Sequence, residues 1–329
     1  MKESFRDCRL DILRVIAISM IILMHSPMPD SGAPGFVLAG ISYVTAPGVV
    51  LFFMISGALL LDSELATKAF IKRRFSKILF PTLFWTMFYL LVGCVTQRPS
   101  IATAFKSVLS IPFSVQGHGV LWFMYPLAGL YLLTPILSQW LKKASKSEVE
   151  FYLLLWAITL VYPYLSLWLH INESNSGLLY YFSGYLGYYV LGFYLKHHYK
   201  YCLWHVIVAL LIAAVTPMAL LSSGIEYDFY KVLWYLSLPV AMMAFVLFVL
   251  IMQFPNKRMS TIGQISKLSF GIYFVHIFIM RRIIWNLDVV HSLPWMVQIP
   301  VIALSSFLLS LLMSWLISRL SFSKYIIGV

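Results

Sequence analysis

Apolar residues in this chain come in long unbroken runs, not at alternate positions. Ten such runs occur, over residues 10–26, 47–61, 78–95, 120–139, 151–169, 178–195, 202–222, 232–254, 268–284 and 296–317. About 20 residues at a rise of about 1.5 Å cross a hydrocarbon core of about 30 Å, so runs of this length read as membrane spans. The polar connections between them are short. The pattern predicts an all-α polytopic membrane protein of about ten transmembrane helices, folded as a single domain over residues 1–329. The longest outer connection, 96–119, contains an amphipathic stretch at 101–109 that is expected to lie on the outer membrane surface.

An even number of spans places both termini on one side. Placing them in the cytoplasm puts 18 of the 24 lysines and arginines in inner segments and five in outer ones, with Arg14 inside the first span. Inner segments are expected to carry the cations, so both termini are predicted to be cytoplasmic and the protein to be multi-pass in a bacterial cytoplasmic (inner) membrane. The formal net charge of +12 is accounted for by this rule and by contact with anionic membrane lipids, and gives no reason to expect nucleic acid. Charged residues make up 11% of the chain and hydrophobic ones 61%. Soluble domains carry about 25% charge, which excludes a soluble fold with a large core. The first run lacks a small-residue cleavage site and ends in His25-Ser26-Pro27, so it is expected to remain as an anchor. Cys8, Cys94 and Cys202 have no paired spacing, and neither a disulfide framework nor a metal site is expected.

The chemistry sits in the few polar residues of the runs. Arg14 and His25 are eleven residues apart in the first one, about three helical turns plus roughly 20°, with a rise of about 16 Å. A fixed cation and an imidazole thus share one helix face near its two ends. Ionisable groups at such depth default to function, although Arg14 can also snorkel and His25 can cap the span. Asp11, three residues before Arg14, is placed to pair with it. None of the twelve acids falls mid-span, which counts against an ion-coupled transporter. In the ninth run Ser269, Tyr273 and His276 fall on one helix face, either as interhelix hydrogen-bonding groups or as the lining of a substrate tunnel. Lys72, Arg73, Arg74 and Lys77 lead into the third run. They satisfy the topology rule and also suit a phosphate clamp for a nucleotide-bearing donor such as an acyl-CoA. Trp122 and Tyr125 suit an aromatic belt or stacking on a sugar ring. His118 stands nearby in the outer loop. The sixth run is rich in tyrosine, fitting a belt, a packed core or an acceptor groove. Arg281 and Arg282 break the cation rule at the outer end of the ninth run, either as snorkelling side chains or as anchors for the phosphates of a lipid-linked acceptor.

These fragments, in this order, resemble the acyltransferase-3 family of integral membrane acyltransferases. Arg14 with His25 resembles its Arg-x10-His signature. Phe52-Phe53-Met54-Ile55-Ser56-Gly57-Ala58-Leu59 resembles its Phe-Phe-x-x-Ser-Gly-x-Leu segment, Leu121-Trp122-Phe123 its fourth-span region, and Tyr273 with His276 its late Tyr-x-x-His element. The resemblance runs from about residue 5 to residue 317. It implies O-acyl transfer, usually of acetyl from acetyl-CoA as co-substrate, onto a hydroxyl of an extracytoplasmic or lipid-linked surface glycan. No bound cofactor and no metal are implied. By position, His25, Arg14, Tyr273 and His276 take catalytic roles. Arg14, Arg73, Arg74 and Lys77 take the acyl-CoA, and Trp122, Tyr125, Arg281 and Arg282 the acceptor. The family's Arg-x-x-Arg falls on Arg74 and Lys77, where lysine loses the bidentate fork. His118 departs as well, because Gly119 and Val120 separate it from Leu121-Trp122-Phe123. The length resembles stand-alone members that acetylate a surface polysaccharide. Two other classes fit the topology: a flippase or exporter of lipid-linked sugar, and a non-catalytic partner of a glycan synthase.

Overall fold

The computed structural model describes residues 6–97, 100–110, 119–170, 177–257 and 259–329, and every regular element among them is helical. Helix α1 (Cys8–His25) opens at Asp7, whose carboxylate accepts from the Arg9 N–H and caps it. Helix α2 (Gly35–Thr45) passes through Ala46, which keeps helical backbone angles, into α3 (Pro47–Leu60). The second apolar segment therefore begins at Gly35, not at residue 47. Pro47 lacks an N–H but occupies the first turn of α3, where that loss is harmless, so it divides the helix without ending the segment.

A short turn, Thr67–Phe70, and a π-helical turn, Ile71–Phe75, lead into α4 (Ser76–Gln97). The surface stretch is α5 (Ile101–Ser110), with Ile101 and Phe105 exposed. Next come α6 (Met124–Leu141), α7 (Lys146–Thr159) and α8 (Tyr162–Leu169). The break between α7 and α8 comes just before Pro163, a residue helices accept only in their first turn. The chain continues through α9 (Leu186–His197), α10 (Leu203–Ser223), α11 (Leu238–Met252), α12 (Ser260–Arg282), α13 (Trp295–Ser318) and the terminal turn α14 (Ser323–Ile326).

Each of the ten expected segments is helical, but seven are long and apolar enough to cross a membrane. The other three depart for identifiable reasons. Helix α1 has 18 residues but carries Arg9, Asp11 and Arg14. Helix α9 has 12 residues, because Gly184 takes a left-handed φ of 91° and cuts off the first half of the expected run. Helix α11 has 15 residues, starting only at Ser237-Leu238-Pro239. At about 1.5 Å per residue, α9 and α11 reach about 18 Å and about 22 Å. All three lie in the centre of the bundle. Leu10, Leu13, Ala17, Ile18, Ile21 and Ile22 of α1 are buried, as are Val240, Ala241, Ala244 and Phe248 of α11.

Small residues set the closest helix approaches, as expected where lipid supplies no hydrophobic drive between helices. Helices α3 and α9 cross with Gly57 against the Tyr189 carbonyl and Gly192 against the Met54 carbonyl. Helices α12 and α13 meet with Gly271 against Ser314. The tyrosines of the sixth run divide by position. Tyr188 and Tyr189 are fully buried and donate or share hydrogen bonds with the Tyr235 carbonyl and the Thr134 hydroxyl, at 2.6 and 2.7 Å.

Candidate active site

Two cavities of opposite character lie at the two ends of α1. The one at its N-terminal end has a volume of about 550 Å³ and is lined by five cations: Arg6, Arg14, Arg74, Lys77 and Lys267. Ser56 of α3, Tyr131 of α6, and Ser266 and Ser269 of α12 complete the polar lining, and residues 327–329 form one wall. Arg74 lies in the π-helical turn and Lys77 follows in the first turn of α4. Three residues apart, both face the cavity. Arg73, on the same turn, is exposed and does not line it. A π-turn shifts the helix face by one residue relative to an α-turn, and such turns recur at functional positions.

The anticipated Asp11–Arg14 pair does not form. Asp11 is 4% exposed and is occupied by Arg6, whose guanidinium reaches its two oxygens at 2.7 and 2.6 Å, and by the Ser266 hydroxyl at 2.7 Å. The reason is packing. Helix α12 lies against the Asp11 face of α1 and presents Ser266 there, while Arg6, ahead of the helix, folds back over the same carboxylate. Arg14, Arg74, Lys77 and Lys267 are left without an ion pair among the described residues. Four cations without an ion pair around one cavity give it a positive potential that suits an anion. Alongside it, Arg9 bonds Asp7 and the Met252 carbonyl at the end of α11. Burial pushes the Asp7 carboxyl up, but the hydrogen bonds and charge of Arg9 outweigh it and hold the group below its ordinary value.

The second cavity, about 470 Å³, adjoins His25. Its wall is aromatic: Trp122, Tyr185, Tyr230, Trp234 and Tyr235, with Met24 and Ser42 beside them. Trp122 stacks on Tyr235 with ring centroids 5.2 Å apart, and Phe53 of α3 supports Tyr185 at 4.6 Å. Among the described residues, no aspartate, glutamate, lysine or arginine lines it. His25 brings Nδ1 to 2.8 Å from the Ile21 carbonyl one turn back. A carbonyl only accepts, so Nδ1 carries the ring hydrogen and Nε2 is the basic nitrogen. An aromatic wall with one base suits a polar, flat-faced ligand bearing a hydroxyl.

Between the cavities runs the polar face of α12. Ser266 and Ser269 open into the cationic cavity. Tyr273 is 6% exposed and His276 0% exposed. The His276 ring lies 5.4 Å from that of His25. Tyr125 lies in the first turn of α6, near Thr86 of α4, and lines neither cavity. Arg281 and Arg282 are exposed at the end of α12, with Arg281 over the Trp285 ring at 5.4 Å, and neither is in the lining of these two cavities. His118 lies outside the described residues.

Sequence reasoning missed Arg6 and Lys267, which it counted only as topology cations, and Ser56 and Tyr131, which carry no charge. On the aromatic side it missed Tyr230, Trp234 and Tyr235. The dense Tyr-Lys-Val-Leu-Trp-Tyr stretch before α11 is the available signal, and from Val232 onward it falls within the expected eighth run.

The sequence model of the acyltransferase-3 family, described as an acyltransferase domain, matches residues 9–319. Neither a comparison with curated proteins nor one with solved structures gave a significant match. The match spans nearly the whole chain, α1 to α13, and the chain belongs to that family.

Proposed function

We propose that this membrane acyltransferase moves an acyl group, acetyl by preference, from cytoplasmic acyl-CoA to a hydroxyl of an extracytoplasmic or lipid-linked surface glycan in a bacterial inner membrane. The observation that carries the reading is the pairing of two unlike cavities at opposite ends of one helix, with Arg14 at one and His25 at the other. In this proposal both termini are cytoplasmic. Helices α1, α9 and α11 cross within the bundle, bringing the number of spans to about ten.

The nucleotide phosphates occupy the cationic cavity on Arg14, Arg74, Lys77 and Lys267, with Tyr131 between them. The roughly 16 Å from Arg14 to His25 is about the reach of a pantetheine arm. The thioester thus arrives at His25 while the nucleotide stays at the inner face. The sugar enters the aromatic cavity and stacks on Trp122. His25 Nε2 takes the proton of its hydroxyl as the oxygen attacks the thioester carbonyl. The C–S bond then breaks, and the imidazolium returns the proton to the departing CoA thiolate. Arg281 and Arg282 stand at the outer rim, where they hold the phosphates of a lipid-linked acceptor.

The test is His25→Ala in proteoliposomes given radiolabelled acetyl-CoA and a lipid-linked acceptor. Transfer of label should fall by about 10²- to 10⁴-fold, the usual effect of losing a general base, with the protein inserted as before. Near-normal turnover by the purified variant overturns the assignment. Movement of unlabelled sugar without acylation would make the protein a flippase.

A further inference from the structure

One wall of the cationic cavity comes from residues 327–329, beyond residue 319 where the family match ends. After α13 the chain turns back, and α14 closes with the Ile327 N–H on the Ser323 carbonyl at 2.8 Å. The Ser323 hydroxyl donates to the Val329 main-chain oxygen at 2.8 Å, which ties the segment to itself. From α4 the Trp85 indole N–H donates to the Ile326 carbonyl at 2.8 Å. Trp85 is 6% exposed, and its ring stacks on Phe274 of α12 with centroids 6.1 Å apart. An indole N–H only donates, and the carbonyls of a last helical turn need donors. Each therefore satisfies the other where both are buried.

Pinned this way, the segment lies between α4 and α12. Gly328 has a left-handed φ of 74° and packs on Lys77, where a Cβ would stand 2.7 Å from the carbonyl oxygen. Ile327 is fully buried and lies against Gly271, where a Cβ would stand 3.0 Å from the Ile327 Cγ2. Gly271 is one helical turn, about 6 Å, further along α12 than the cavity cation Lys267. His276, beside His25, lies beyond it on the same helix. Ile327 thus sits on the inward side of the cations, toward His25. Phosphates gain nothing from the apolar lining of this cavity, which is Leu59, Leu60, Ile78, Phe270, Ile327 and Val329.

We propose that Ile327 and Val329 form an apolar wall along which the pantetheine arm leaves the cationic cavity. Trp85 is the positioning residue that holds this wall through the Ile326 carbonyl. The proposal rests on the cations holding the phosphates of the donor. The arm is largely apolar between its amides, so it gains from a wall that the nucleotide does not touch. Trp85 is not in the cavity lining, and its effect passes through the segment. Loss of the wall weakens CoA and spares its nucleotide half.

Two ligands and two variants test this. CoA carries the arm, and adenosine 3′,5′-bisphosphate is its nucleotide without the arm. Trp85→Phe keeps an aromatic ring on Phe274 but takes the donor from Ile326. Ile327→Ala keeps the pin and shortens the wall. In isothermal titration Trp85→Phe should weaken CoA about 5- to 100-fold, the range set by one buried carbonyl left unpaired. Ile327→Ala should weaken it about 4- to 15-fold, for one or two methylene contacts. Both variants should bind the bisphosphate as the wild type does. A merely structural Trp85 would lower the unfolding midpoint without changing the ratio of the two affinities. An unchanged ratio in both variants, which includes an equal loss for both ligands, overturns the wall. Arg14→Ala and Arg74→Ala should weaken both ligands. If they leave both affinities unchanged, the donor site lies elsewhere, and the wall falls with it. If they weaken both while Trp85→Phe and Ile327→Ala leave the ratio unchanged, only the wall is lost.

Discussion

Gly57→Ala tests the crossing that holds both cavities in register. A Cβ on Gly57 would overlap the Tyr189 carbonyl oxygen and stand 2.6 Å from its carbon, where ordinary contact begins at 3.4 Å. The obstacle is the backbone of α9, so no rotamer change relieves it, and α3 and α9 must part by roughly 1.5 Å at that level. Overpacking usually destabilises by about 1–3 kcal/mol, and a clash against backbone belongs at the upper end. At about 2–4 °C per kcal/mol, the unfolding midpoint in detergent should fall by about 6 °C or more. Function should fall with it. Ser56, the preceding residue, lines the cationic cavity, and Phe53, one turn earlier, braces Tyr185 in the aromatic one. Gly129→Ala in α6 is the control: a Cβ there meets nothing within 4 Å, and alanine is the better helix former. A Gly57→Ala protein that unfolds at the wild-type temperature, with acyl transfer intact, would refute the close crossing as the frame of the site.

The cationic cavity predicts that Arg14→Ala, Arg74→Ala and Lys267→Ala each weaken CoA binding several-fold in isothermal titration, and that added salt weakens it in the wild type. Unchanged affinity in all three would move the donor site elsewhere. Replacing Arg281 and Arg282 together by Gln should raise the apparent KM for a lipid-linked acceptor and leave that for acyl-CoA alone. Equal kinetics for both substrates would leave these arginines only a place at the headgroups.

The all-helical class and the ten apolar segments were legible because membrane helices announce themselves by run length. Their lengths were not. Hydropathy reads a run as one helix, but Gly184, Pro163 and Ser237 interrupt three of the runs locally. Buried helices such as α9 need not match a bilayer, because protein surrounds them. Arg14, His25, Arg74 and Lys77 were legible because charge in an apolar run has few innocent explanations. Arg6 and Lys267 were hidden by the same logic, since a cation at an inner loop is already explained. The partner of Asp11 was misread because spacing along α1 reports only neighbours on that helix. The contacts from Ser266, some 255 residues away, and from the loop holding Arg6 depend on how α12 packs.

The short central helices bear on how two substrates on opposite sides of a membrane can meet. An acyl-CoA cannot cross a core of about 30 Å. On the proposed reading it does not need to. Helices α9 and α11, about 18 Å and about 22 Å long, are shorter than that core. The cationic cavity enters from one end and the aromatic cavity from the other. The layer left between them is crossed by α1 from Arg14 to His25 and by α12 from Ser269 to His276. A thin pantetheine arm can follow such a seam while the charged nucleotide stays outside it. This explains why the two imidazoles at that level, His25 and His276, stand on the facing sides of α1 and α12. Among the described residues Asp11 is the one buried carboxylate, and Arg6 and Ser266 hold it at the mouth. A transporter must open its centre to both sides in turn, and needs groups that bind and release the cargo there. An enzyme built this way can keep its core closed, because only the acyl group changes sides.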